Sequence, residues 1–121
     1  MKKYVTHVND LSSYTPPGHS KTTNFRLLGL GPEGSNRMEI ILGQVGYGGQ
    51  ADPHSHENEE QAIFVLEGKA LIEIAGLKEV VGPNDFIFLP QGTPHKIVPL
   101  EGKHFKVLII YAPPLSSDRN S

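Results

Sequence analysis

The run His54-Ser55-His56-Glu57-Asn58-Glu59-Glu60-Gln61, leading into Ala62-Ile63-Phe64-Val65-Leu66-Glu67-Gly68, decides how this chain is read. On an extended strand side chains alternate with period two, so His54 and His56 share one face. A third imidazole, His95, follows the turn Pro90-Gln91-Gly92-Thr93-Pro94. Gln61 opens the apolar run between them. Three neutral nitrogens and one amide oxygen meeting at a point would suit a divalent metal ion.

Outward from this stretch, short apolar runs alternate with turn signals. Ile63 to Val65 and Phe86 to Leu89 are rich in strand formers, and the second reads as a buried strand. Ala70 to Ala75 and Leu77 to Val81 flank Gly76. His95 to Val98 follows the proline turn, and His104 to Tyr111 reads as the longest apolar strand. Upstream, Phe25 to Leu30 and Arg37 to Val45 are strand candidates, with Gly46-Tyr47-Gly48-Gly49 ending the second. Glu67-Gly68-Lys69 reads as a tight reversal, and Gly82-Pro83-Asn84-Asp85 as a turn. No stretch keeps a helical period. Regularly spaced short strands predict an all-β sandwich or barrel.

Thr15-Pro16-Pro17-Gly18 breaks any regular element, so residues 1–24 read as an irregular arm and 25–114 as the barrel. Leu115 to Ser121, after Pro113-Pro114, reads as a frayed tail. At 121 residues one domain is expected. Leu108 and Ile110 make the last strand apolar on both faces, so a homodimer with its interface outside the barrel is expected.

A net charge of −2 gives no basic footprint for nucleic acid, and no apolar run has the length of a membrane span. Cysteine is absent, which excludes disulfides, thiolate ligands and thiol nucleophiles and suits a reducing cytoplasm. The chain has no nucleophile elbow and no glycine-rich phosphate loop.

The central part of the chain resembles the cupins, small double-stranded β-helix (jelly-roll) barrels. Gly48, His54, His56 and Gly68 stand at the positions of the first cupin motif, with Gln61 where a glutamate is usual. Pro90, Gly92 and His95 match the second motif, while Asn84 replaces its glycine and Pro99 its asparagine. Asn84 is a mild change, since asparagine tolerates a left-handed turn. The resemblance implies a metal held by His54, His56, His95 and Gln61, as zinc, nickel, iron or manganese. Glu60 is the rival to Gln61, but it breaks the motif's interval to Gly68 and faces the other way on a strand.

Glutamine in the glutamate slot leaves the full dipositive charge on the ion. That favours a Lewis acid over oxygen activation. The pattern is similar to that of cupins which process sugar acids with a glutamine in this slot. The resemblance therefore implies a metal-dependent isomerase or lyase acting on a small oxygen-rich molecule, a sugar acid or keto acid. A dioxygenase, or a non-enzymatic module that binds a small ligand, is the alternative. Glu59 shares strand parity with Gln61 and is the candidate acid/base.

Overall fold

The computed structural model describes residues 4–51, 57–100 and 104–115. The side chains of Tyr47, Gln50 and Ala51 lie outside that description. Among the described residues, eight strands follow one short 3-10 turn, Val8–Asp10. They are β1 (His19–Leu28), β2 (Glu39–Ala51), β3 (Glu60–Glu67), β4 (Ala70–Ile74), β5 (Leu77–Val81), β6 (Phe86–Leu89), β7 (His95–Pro99) and β8 (Phe105–Ala112).

A five-stranded sheet has the order β1-β2-β8-β3-β6, and a three-stranded sheet the order β5-β4-β7. All pairings are antiparallel. The two sheets face one another, and β7 lies against β2 at one side. This is an all-β barrel, as the strand spacing predicts, in the jelly-roll form that the cupin resemblance implies.

The core forms because alternate residues of each strand turn inward. Ile63, Val65, Ile72, Leu89, Phe105 and Val107 pack into one buried cluster. Ile41, Tyr111 and Leu115 form a second. Full burial of one of the larger side chains contributes about 1.5–3 kcal/mol.

Several local expectations are corrected. The first strand starts at His19, not Phe25, and lies on the sheet edge, where the arm adds a bridge between Tyr14 and Asn24. Gly46 to Gly49 does not end β2. Ser20 pairs with Gln50 and Thr22 with Val45, so the glycine run bulges out opposite Lys21 and the strand resumes. A β-carbon on Gly49 would come to 2.7 Å from the Ser20 carbonyl oxygen, so only glycine fits inside this bulge. β2, with 13 residues, is therefore longer than β8.

Nor is β6 buried throughout. Ile87 and Leu89 point inward, while Phe86 and Phe88 face out. Glu67-Gly68-Lys69 carries the chain from the larger sheet to the smaller one and makes no hairpin. Leu115 is not frayed. It is buried, and its N–H donates to Glu39 Oε1 at 3.1 Å. Residues 116–121 lie outside the described residues.

Glu39 is buried, and its other carboxylate oxygen pairs with Arg26 Nε at 2.8 Å. Arg26 also donates to the Tyr14 hydroxyl at 3.1 Å, with its guanidinium 4.6 Å from that ring's centroid. One carboxylate thus ties together the arm, β1, β2 and the segment after β8. Arg26→Ala would leave a buried charge with one hydrogen bond. Breaking such a pair costs about 3–5 kcal/mol when both groups are buried. The Arg26 side chain is about a third exposed, so about 2 kcal/mol is expected. Urea unfolding of Arg26→Ala and of Glu39→Gln, which keeps a hydrogen-bonding group, measures this. A smaller loss for Arg26→Ala than for Glu39→Gln would contradict the argument.

Candidate functional site

At one end of the barrel the inward row of the larger sheet is polar. Register places Glu39 beside Tyr111, Tyr111 beside Gln61, and Gln61 beside Leu89. Gln61 is 5% exposed and Tyr111 is equally buried. Gln61 Nε2 donates to the Tyr111 hydroxyl at 3.3 Å. Gln61 Oε1 is buried and has no hydrogen-bond partner among the described residues. An unsatisfied buried oxygen of this kind costs about 1–3 kcal/mol. It calls for an explanation, and a cation is one.

On the facing sheet His95 opens β7 and pairs in register with Ile74. It too is 5% exposed. Its Nδ1 lies 3.1 Å from the Thr93 carbonyl oxygen. A carbonyl accepts only, so Nδ1 carries a proton, and in the neutral ring Nε2 is then the nitrogen with the lone pair. A metal-ligating imidazole is oriented in this way by a backbone carbonyl behind it.

His54 and His56 lie outside the described residues. The chain on either side of them is defined. Ala51 ends β2 opposite His19, and Glu57 resumes the chain. The Glu57 carbonyl accepts a 2.5 Å hydrogen bond from Gln91 Nε2. The residue after His56 is thereby tied to the proline turn that delivers His95. Sequence reading gave Gln91 no part, because its partner is a backbone atom of a distant loop.

Glu60 is exposed and Gln61 buried, as alternation along β3 requires. Glu59 is half-buried just ahead of β3, and Glu57 is exposed. Tyr111 belongs to the core, and its hydroxyl also meets Gln61. The turns behave as backbone devices. Asn84 adopts φ +72° and Gly92 φ +75°, and Asp85 accepts the Gly82 N–H at 2.8 Å. Among the described residues no three His, Asp or Glu side chains form a metal-binding group. Nor is any helix among them long and apolar enough to cross a membrane.

Residues 42–111, more than half of the chain, match the family model described as the cupin domain. The polyketide cyclase RemF from Streptomyces resistomycificus is 32% identical, with a TM-score of 0.79. The match covers 100% of this chain and 83% of that one. A predicted oxalate decarboxylase from Thermotoga maritima has a TM-score of 0.80 at 16% identity, covering 91% of this chain and 99% of that one, and shows the fold alone. An uncharacterized protein of Methanocaldococcus jannaschii is 34% identical over 65 residues, 54% of this chain. The chain spans about half the length of that curated relative, 52%. With the barrel, the inward polar row and the matched region in agreement, the chain belongs to the cupin domain family.

Proposed function

We propose that this protein is a metal-dependent cupin enzyme that acts at a carbonyl of a small oxygen-rich molecule, as a homodimer in the cytoplasm. His54, His56, His95 and Gln61 would hold a divalent ion. The observation that carries this reading is the buried Oε1 of Gln61, which has no partner among the described residues. It is an oxygen donor in the motif slot, on a buried side chain of the inward polar row. The chemistry of the set, three imidazoles and one neutral amide, fits zinc, nickel, iron(II) or manganese.

When bound, such an ion supplies Lewis acidity without an anionic protein ligand to offset its charge. The chain's own residues do the rest. Tyr111 holds the Gln61 amide, and the Thr93 carbonyl holds the His95 ring. Glu59 is the candidate to move a proton at the substrate carbon beside the carbonyl. The apolar neighbours Leu89 and Ile109 restrict water around these groups.

Sugar acids and keto acids carry such a carbonyl. So does a polyketone, and the relative named as a polyketide cyclase supports that substrate class. An isomerase, lyase or cyclase step all begin by polarising the carbonyl, so these readings share one site. The neutral glutamine weighs against a dioxygenase.

The direct test is elemental analysis of the native protein, followed by turnover with panels of uronates, keto acids and polyketones. About one metal per chain and turnover of at least one panel are expected. Stoichiometric metal with no turnover of any panel would favour a ligand-binding module. His56→Ala is expected to drop metal content to a small fraction of wild type and lower the Tm. Undiminished metal in that variant would place the centre elsewhere.

A further inference from the structure

The barrel closes differently along its two sides. On one side β7 lies against β2. On the other, β5 and β6 are both sheet edges, tied together at one end by the turn Gly82-Pro83-Asn84-Asp85. The seam between them opens into a cleft of about 350 Å³. Small-molecule sites run from about 300 Å³ upward.

Register shows which side chains face this cleft. Val81 pairs with Ala70, Glu79 with Ile72 and Leu77 with Ile74, and antiparallel partners point the same way. Ala70 and Ile72 belong to the core, so this row of β5 faces the barrel interior. Val81 is accordingly buried, yet Leu77 is 78% exposed. β5 therefore turns an apolar side chain inward at a point that no described residue covers. Across the seam stand Ile87, which is buried, and Phe88 at the rim.

The cleft adjoins the polar end of the barrel. Ile74 pairs with His95 on its other side, so His95, Ile74 and Leu77 form one inward row. On the larger sheet Leu89 pairs with Gln61 and stands two residues from Ile87. A molecule whose carbonyl lies between Gln61 and His95 has the seam beside it.

We propose that the seam between β5 and β6 holds the ring-bearing part of the substrate, a neutral ketone with a planar ring system, and that Glu79 turns carboxylates away. The ketone rests on the carbonyl reading above; the cleft does not. Shape supports a ring. A slot between two sheets is flat, and a rigid planar group fills it with less loss of rotamer freedom than a flexible chain. Ile72, Ile74, Leu77 and Ile87 supply aliphatic surface from both sheets. The free edges of β5 and β6 offer backbone N–H and C=O groups to hydroxyls or carbonyls on the ring. Charge argues against a sugar acid or keto acid. Glu79 and Asp85 line the cleft, and no lysine or arginine does. A substrate carboxylate would be a third negative charge with no cation to meet it.

Methyl NMR of metal-free protein labelled at the isoleucine δ1 carbons tests this, with 2-naphthol as the neutral fused ring and galacturonate as the sugar acid. 2-Naphthol is expected to shift the methyls of Ile72, Ile74 and Ile87 and to leave those of Ile40 and Ile110, on the outer face of the larger sheet, unmoved. Galacturonate should shift none of them. Leu77→Ser, at an exposed position that folding does not require, should raise the 2-naphthol Kd about fivefold or more. Wild type should prefer 2-naphthol to 2-naphthoate by about threefold or more, and Glu79→Gln should narrow that preference. Shifts confined to Ile40 and Ile110 would overturn the proposal. So would cleft shifts with galacturonate and none with 2-naphthol. Elemental analysis separates this result from the metal reading. Cleft shifts in a chain that takes up no metal would keep the cleft and remove the metal centre. One metal per chain with unmoved cleft methyls would do the reverse.

Discussion

Gln61→Glu is expected to be less stable than wild type without metal and to be rescued by metal. Gln61 is 5% exposed, and among the described residues its hydrogen bond to Tyr111 is the one that would remain for a carboxylate. Burial disfavours the charged form, so the metal-free variant either holds a poorly solvated charge or takes up a proton. A loss of about 2–3 kcal/mol is expected, roughly 10 °C in Tm for a chain of this size. With a divalent ion in the nest, the same carboxylate meets a full dipositive charge. A ligand that binds the folded state alone stabilises it by about 2.7 kcal/mol at 100 times its Kd. The negative oxygen should lower that Kd, so metal should raise the Tm of the variant more than that of wild type. Thermal melts of both proteins, with chelator and with each candidate metal, read this directly. A deficit that metal leaves untouched would remove Gln61 from the ligand set. It would also leave its buried oxygen without a role.

The reason Gln61 could be singled out from sequence is local. It follows a polar loop, opens a strand-forming run, and alternation puts it opposite in sense to Glu60. Asn84 was readable for the same kind of reason, since its φ of +72° is a property of the turn it occupies. What could not be read depends on partners far along the chain. Arg26 and Glu39 look like two surface charges, and only strand pairing brings a 2.8 Å contact between them and buries the carboxylate. The glycine run 46–49 looks like a terminus because glycine weakens strands. That it is a bulge depends on Lys21 standing alone on the neighbouring strand. Pro113 and Pro114 announce that β8 ends. They do not announce that Leu115 then returns to cap Glu39. Leu108 and Ile110 read as a second apolar face from alternation alone, but that Leu42 and Phe64, and Ile40 and Ala62, flank them on the neighbouring strands belongs to the register.

Gly68→Ala is expected to cost about 3 kcal/mol or more, a large change for one methyl group. Two separate terms add. Gly68 has φ +83°, a conformation that costs an L-residue about 1–2 kcal/mol. Its missing β-carbon also faces backbone. A methyl there would overlap the His104 carbonyl oxygen, approach the His104 carbonyl carbon to 3.0 Å and lie 3.1 Å from Phe105 Cα. Backbone cannot rotate away as a side chain can, so β3 and the start of β8 must separate. They are already irregular at this point, where the register shifts between Val65 and Glu67. Phe105 is 1% exposed, and moving its backbone would loosen the ring in the main core cluster. Strain alone can be isolated at Gly76, which has φ +86° and nothing within 4 Å of where a β-carbon would stand. Gly76→Ala should therefore cost only about 1–2 kcal/mol. Urea denaturation of the two variants side by side separates the terms. Equal losses would mean that the approach of the His104 carbonyl is not what excludes a side chain at Gly68. The family glycine would then mark a turn conformation and nothing more.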